Sequence, residues 1–287
     1  MTVHSRETFL ARWQQRAAAR TNLCVGVAPS TRWLTAWGYD DDIKGAMSYC
    51  AVLTSVAAEV SAFKVQSPFF ERFGPDGLAL LIDFTAECRR RGSVVIIDCK
   101  RGDSADVMPS IADTFLGDGS VIGADAITAL PFLGASTLHP LYAAAATRGC
   151  AVMTLVRTSN HEGAGIQTAR MDSGDPVSLS LLDEIASWRT NNAASSAAAG
   201  AVIGARGHEA RTLLQRVPDL LVSLPGLGRG DRSLDEFAKI CMGEERRCLL
   251  PITSGLHAAG PASFAAEVLR WKEALITHAL APSTTVT

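Results

Sequence analysis

A parallel (β/α)8 barrel is the fold that this 287-residue chain predicts, on three observations. Eight short apolar runs alternate with segments of helical period. The length suits one barrel domain over residues 1–287. No Gly-x-Gly-x-x-Gly follows the first strand, as an open doubly wound sheet would favour, and Pro225-Gly226-Leu227-Gly228 comes late, where barrels bind phosphate after strands seven and eight.

Residues 1–20 read as an amphipathic helix, with Phe9, Leu10 and Trp13 on one side among arginines and glutamines. Strand one covers 22–27 and ends in Ala28-Pro29-Ser30; after the segment 33–37 a long helix runs over 41–61. Strand two is 62–66, a helix covers 75–91, and strand three is 93–99. Residues 105–116 are helical, with Pro109 restricting where the first turn begins. Strand four, 124–129, ends at Pro131, and a helix over 137–148 leads to strand five, 150–157. A wide loop, 158–174, precedes a helix over 176–190. The Ala/Ser run 191–199 resembles a linker, yet strand six, 201–204, starts almost at once. A helix over 209–216, strand seven at 220–224, strand eight at 248–252 and a closing helix over 262–280 complete the barrel. The tail, 281–287, is expected to fray.

The apolar run Val94-Val95-Ile96-Ile97 breaks off into Asp98-Cys99-Lys100-Arg101-Gly102-Asp103. The apolar half reads as a strand buried on both faces of a parallel sheet. Asp98 and Lys100, two apart, point to the same side, and Gly102 lets the chain turn so that Asp103 returns towards them. Two carboxylates and one ammonium are thus expected in one small volume at the carboxyl end of a strand, where α/β folds place ligands. Charges at strand ends are often plain solvated ion pairs worth little. Lys64 argues for more. It points out of the apolar preceding strand, and a lysine buried in a barrel mouth needs a carboxylate, which Asp98 or Asp103 would supply.

Phe63-Lys64-Val65-Gln66-Ser67-Pro68-Phe69-Phe70-Glu71-Arg72-Phe73-Gly74, the Asp98–Asp103 segment and Val156-Arg157-Thr158-Ser159-Asn160 together resemble the orotidine 5′-phosphate decarboxylase family. The match is to the longer bacterial type that carries Lys-Arg-Gly-Asp, and it runs in order from Cys24 to Pro261. The resemblance implies decarboxylation without a cofactor. Carboxylates beside the substrate's own carboxylate disfavour the ground state, and a lysine protonates the carbon that carbon dioxide leaves. By motif, Lys100 is the proton donor, Asp98 and Asp103 flank the departing carboxylate, and Lys64 completes the charge alternation near the ribose. An ammonium between two carboxylates stays protonated at neutral pH and fixed in place. The family's last aspartate reaches into the partner's site, so Asp103 implies a homodimer with shared active sites. Ser159 matches the serine that reads the pyrimidine amide. Gln66 and Pro131, at the ends of strands two and four, join it as substrate-binding candidates.

The departures fall on the ribose and phosphate ends of that substrate. Gly26-Val27-Ala28-Pro29 stands where the family has Gly-Leu-Asp-Pro, so a carboxylate that helps Lys64 hold a ribose hydroxyl is gone. Ser104 and Val107 follow Asp103 where the family has isoleucine and threonine. Pro225-Gly226-Leu227-Gly228-Arg229-Gly230-Asp231 replaces Pro-Gly-x-Gly-Ala-Gln-Gly and loses the glutamine. After strand eight the family's Ser-Arg pair becomes Ser254-Gly255, which removes the phosphate-clamping arginine; glycine does not replace a bidentate group. Arg206 after strand six, and Arg229 or Arg232 after strand seven, are the candidates to restore an anion site; as solvated loop charges they would do nothing. Four losses aimed at one ribose phosphate favour a specialised relative acting on a modified or non-phosphorylated nucleoside-like carboxylate, in a secondary pathway. The alternatives are an ordinary member with a relocated phosphate site, a superfamily barrel diverted to another lyase, hydrolase or isomerase reaction, and a binding pseudoenzyme. The intact Asp98–Asp103 charges weigh against the last, because buried unpaired charges are costly to keep.

Composition narrows the classes further. Net charge is −2 and the isoelectric point about 6.3, which gives no basic surface for nucleic acid or anionic membrane. No apolar run has the length of a membrane span. The seven cysteines form no Cys-x-x-Cys pair and read as buried free thiols. The six histidines are dispersed, with His161 in the loop after strand five nearest the charged stretch. The expectation is a cytoplasmic enzyme with no metal or cofactor, a small nucleoside- or nucleotide-like substrate, and no nucleic-acid or membrane partner.

Overall fold

The computed structural model describes residues 7–204, 206–230 and 232–282. Eight parallel strands close in chain order, with the last pairing back to the first. They are β1 Leu23–Val27, β2 Ala62–Val65, β3 Val94–Arg101, β4 Ala126–Ala129, β5 Ala151–Arg157, β6 Ala199–Ile203, β7 Leu221–Ser223 and β8 Cys248–Ile252. Helix α1, Phe9–Ala19, precedes the barrel. The crossovers carry α2 Thr31–Ala36 and α3 Ile43–Ser55, then α4 Pro68–Glu71 and α5 Gly74–Arg90, α6 Met108–Phe115, and α7 His139–Thr147. They continue with α8 Ala164–Gln167 and α9 Val177–Asn191, α10 Gly207–Arg216, and α11 Leu234–Cys241. After β8 come α12 Ser254–His257 and α13 Phe264–Thr277.

The fold is the (β/α)8 barrel expected, with local differences. The sequence reading places no helix between strands seven and eight. The structure has α11 there, opened by Ser233, whose hydroxyl accepts the Glu236 N–H in a Ser-x-x-Glu capping pattern. The Ala/Ser run 191–199 is not a linker: residues 193–198 make 3-10 turns packed on α7 and α9, and β6 begins at Ala199. Residues 1–6 of the expected first helix and 283–287 of the expected frayed tail lie outside the described residues. Among the described residues no helix is long and apolar enough to cross a membrane.

Strand alternation builds two cores. One face of the sheet packs on the surrounding helices through Val25, Phe63, Val95, Ile97, Ile127 and Val152. The other fills the barrel with Cys24, Ala62, Val94, Ile96, Ala126, Met153 and Val202. Stepping two residues on from Ala62, Ile96 and Ala126 gives Lys64, Asp98 and Thr128, so the inward face turns polar at the carboxyl ends. At the opposite end α1 is the plug. Phe9, Trp13 and Ala17, spaced by four, enter the barrel core. Arg12, Arg16 and Arg20, also spaced by four, bond loop carbonyls at Gly149, Gly92 and Val60. Asp125 ties this end together, accepting from the Val95 N–H at 2.9 Å, Arg12 at 3.0 Å and Arg89 at 3.3 Å.

Asp125→Ala is therefore expected to destabilise the fold by about 3 kcal/mol, because a buried N–H loses its acceptor and Arg12 and Arg89 lose the buried carboxylate they share. Urea unfolding should show the loss as a lower midpoint with an unchanged slope.

Candidate active site

The polar mouth starts with Asp98. Its side chain is 5% exposed, and its two oxygens are divided between two lysines. Lys64, from β2, pairs with Oδ2, and Lys100 Nζ donates to Oδ1 at 2.6 Å. Burial would push the Asp98 carboxyl up, but the two ammonium groups more than offset it and hold the group down at about 2. The site thus presents a carboxylate between two cations. Lys100 reaches it through an irregular backbone. Ile97 pairs with Ile127 and Arg101 with Ala129, so Asp98, Cys99 and Lys100 bulge opposite Thr128 alone. Lys100 sits in the left-handed region at φ 48°, which for a side-chain-bearing residue costs about 1 kcal/mol.

Lys64, Asp98, Lys100 and Thr128 form one wall of a cavity of about 280 Å³. Gln66 continues the β2 side. Leu155, Thr158, Ser159 and Asn160 come from the end of β5, Val202 from β6, and Pro225 and Arg229 from the turn after β7. The β5 loop is folded back on itself: Gln167 accepts from the Thr158 N–H at 2.9 Å, which sets Ser159 and Asn160 at the rim. Arg229 is exposed and, among the described residues, makes no ion pair or side-chain hydrogen bond. Among the same residues no group of three or more His, Cys, Asp or Glu stands close enough to hold a metal ion.

The family profile described as "Orotidine 5'-phosphate decarboxylase / HUMPS family" matches residues 21–236. The chain is 32% identical over 280 residues to the orotidine 5′-phosphate decarboxylase of Myxococcus xanthus, covering 96% of this chain and 95% of that protein. It is 36% identical over 260 residues to the Salinispora tropica enzyme of that name, covering 89% and 91%. A Streptomyces avermitilis crystal structure assigned to the same activity superposes with a TM-score of 0.88 at 30% identity, covering 98% and 99% of the two chains. Leishmania donovani OMP decarboxylase gives 0.77 at 25%, covering 96% and 100%. The chain belongs to the orotidine 5′-phosphate decarboxylase family.

Two of the positions set apart by the family resemblance, Ala28 and Gly255, have a structural account. Ala28 is buried at the end of β1, and its N–H donates to the Tyr49 hydroxyl at 3.0 Å. That hydroxyl also meets His257 Nε2 at 2.5 Å, while His257 Nδ1 faces the Thr253 carbonyl at 2.7 Å. A carbonyl only accepts, so Nδ1 carries the proton and Tyr49 donates to Nε2. Burial holds the imidazole down at about 4, against the pull of the Thr253 carbonyl, and the ring is neutral at pH 7. A run of neutral hydrogen bonds thus joins the ends of β1 and β8 at Ala28, where the resemblance implies a carboxylate. Gly255 lies against the Gly228 backbone, and a Cβ at 255 would stand 2.8 Å from Trp271. No arginine fits there without moving that wall.

Several expected placements need correction. Asp103 does not return to Asp98 and Lys100. It is exposed, and its carboxylate accepts the Ser104 N–H at 2.7 Å. Gly102 serves a close approach instead of a return, since a Cβ there would lie 2.1 Å from the Leu130 carbonyl oxygen. Arg232 points beneath the turn, not into the cavity. The turn at Gly226 and Gly228, both at positive φ, carries Arg229 to the mouth and buries Arg232. There the Arg232 guanidinium donates to the Pro225 carbonyl at 2.9 Å and stacks on Phe237. β6 ends at Ile203, so Arg206 falls at the N-cap of α10 and outside the cavity lining. Pro131 lines a neighbouring apolar hollow of about 330 Å³ with Phe132, Val156 and Ile166. Thr128, Thr158 and Asn160 were not among the candidates. Thr128 was findable, two residues on from the inward Ala126.

The depressed Asp98 carboxyl gives a signed expectation. Its ionised form stabilises the fold, fully above the ordinary carboxylate range near pH 4 and no longer once the pH has fallen through about 2. The unfolding free energy of the wild type relative to Asp98→Asn should therefore be flat above about pH 5 and fall by about 2 kcal/mol towards pH 2. Urea titrations of both proteins across this range measure it; a flat difference down to pH 2.5 would contradict the ion-pair arrangement.

Proposed function

We propose that this chain is an orotidine 5′-phosphate decarboxylase, a carboxy-lyase acting as a cytoplasmic homodimer, with its phosphate end relocated to Arg229. The observation that carries the reading is the Lys64–Asp98–Lys100 ion group on one wall of the cavity that Arg229 also lines. In the proposed reaction the bond from the ring carbon to the substrate carboxylate breaks and carbon dioxide leaves. The electron pair stays on the ring carbon, and Lys100 Nζ delivers a proton to it. Asp98, ionised and unable to move away from its two lysines, faces the departing carboxylate and disfavours the bound ground state. Ser159 and Asn160 at the rim supply polar groups for the base, with Gln66 beside Lys64. Arg229 faces the mouth with its guanidinium available to a phosphate, and Arg232 braces the turn that presents it.

A second reading, a modified or non-phosphorylated nucleoside-like carboxylate in a secondary pathway, is favoured by Ala28 and by the closed wall at Gly255. The breadth of the match to proteins named for orotidine 5′-phosphate supports the first reading over it.

Steady-state decarboxylation separates the two. Wild type is expected to turn over orotidine 5′-phosphate, and Lys100→Ala to lose at least about 100-fold in kcat, as removal of a general acid does. Arg229→Ala should lose about 10- to 100-fold in kcat/KM on the phosphorylated substrate, the worth of a charge-assisted hydrogen bond, and nothing on orotidine itself. A wild type inert towards orotidine 5′-phosphate and active on orotidine would install the second reading.

The homodimer proposal follows from the exposed Asp103, which stands apart from its own site beside an apolar rim of Leu130, Phe132 and Leu133. A second copy that covers this rim would bring Asp103 to the neighbouring Lys100. Mixing Lys100→Ala with Asp103→Ala protomers is expected to restore one working site per heterodimer. Sustained inactivity after demonstrated subunit exchange would refute shared sites.

A further inference from the structure

We infer that Thr128 is a positioning residue of this site, its hydroxyl holding the β3 bulge so that Asp98 and Lys100 converge on one cavity. The inference rests on the decarboxylase reading of that cavity. Three residues of β3, Asp98 to Lys100, face a single residue of β4, and ladder pairing resumes only at Arg101 and Ala129. The left-handed turn at Lys100 takes its N–H out of the ladder, and Thr128 Oγ1 receives it at 3.0 Å. An N–H only donates, so the oxygen accepts there and its own hydrogen is free to donate elsewhere. It goes to Asp98 Oδ1 at 2.8 Å, the oxygen that also takes Lys100 Nζ. The Thr128 carbonyl receives Cys99 Sγ at 3.6 Å, so Thr128 contacts every bulged residue.

Thr128 is 1% exposed, and both polar roles of its hydroxyl are met by protein groups. Valine has the same shape but neither donates nor accepts. Without the hydroxyl the Lys100 N–H is unpaired, and Asp98 loses its neutral donor and is held by its two lysines alone. The charged groups acting on Asp98 are Lys64 from β2 and Lys100 from its own strand, while the thiols of Cys24 on β1 and Cys99 on β3, both pushed up by burial, face it uncharged. Thr128 is the β4 contribution, and it orients Asp98 without adding charge.

The test compares Thr128→Val and Thr128→Ser, both checked for folding by thermal melting. Thr128→Val is expected to lose about 10- to 100-fold in kcat on orotidine 5′-phosphate with KM little changed, the usual effect of removing a group that orients a catalytic one. Thr128→Ser keeps the hydroxyl and should return to within about threefold of wild type. Independently of turnover, the Asp98 carboxyl, followed by carbon-13 NMR in the ligand-free protein, should titrate at higher pH in Thr128→Val, because a donor to its ionised form is gone. If wild type does not act on orotidine 5′-phosphate, the functional reading fails while the carboxyl titration still decides the role of Thr128. Wild-type kcat in Thr128→Val, an unmoved Asp98 titration, or a serine variant as impaired as the valine one would each overturn the inference. Should Thr128→Val fail to fold, Thr128→Ala removes the hydroxyl without branching at that position and is read in the same two ways.

Discussion

A single carboxylate, Asp98, buried and shared between two ammonium groups, is the constraint on which the rest of the mouth depends. An ion at that depth is costly, and its pairing compensates only when the geometry is held. Barrel closure supplies the geometry. Parallel pairing sets Lys64 opposite Ile96, so the next inward residue of β3, Asp98, lies diagonally beside it. The bulge then brings Lys100 to the same carboxylate from its own strand. Removing either lysine would leave a buried negative charge with half its compensation. The same stored electrostatic energy is what a decarboxylase would turn against a bound substrate carboxylate.

The opposite end of the cavity is organised by close backbone contact instead of charge. Gly228 and Gly255 touch, and Trp271 closes the space behind them. That packing excludes a long side chain after β8 and leaves the turn after β7 as the source of cationic charge. Arg232 is committed to that turn from beneath, through the Pro225 carbonyl and Phe237. Arg229 is thereby carried to the mouth with its guanidinium unpaired among the described residues. One arginine is used to build the turn and the other is presented by it.

Between these ends, the β1–β8 seam is held by an aromatic lock. Tyr49 and His257 are fully paired through Ala28 and Thr253, and Trp37 stacks on the imidazole while donating to the His257 carbonyl at 2.9 Å. A neutral, satisfied network is the form in which polar groups are least costly to bury. It leaves this seam uncharged.

The sequence by itself determined the barrel, because strand and helix periods alternate along the chain and every apolar run had to be buried. The charged group was legible too, because Lys64 and Asp98 fall at the carboxyl ends of the neighbouring inward-facing strands β2 and β3, with Lys100 two residues beyond Asp98. The sequence was silent where distance along the chain and distance in space part company. Whether Asp103 turns back depends on how Gly102 meets Leu130, whether Arg229 or Arg232 faces the cavity depends on two left-handed glycines, and the part played by Thr128 depends on a register shift between strands. Those are decisions of tertiary packing: a bulge or a tight turn rotates a side chain to the other side of the backbone, and no residue pattern records that rotation until neighbouring strands are in place.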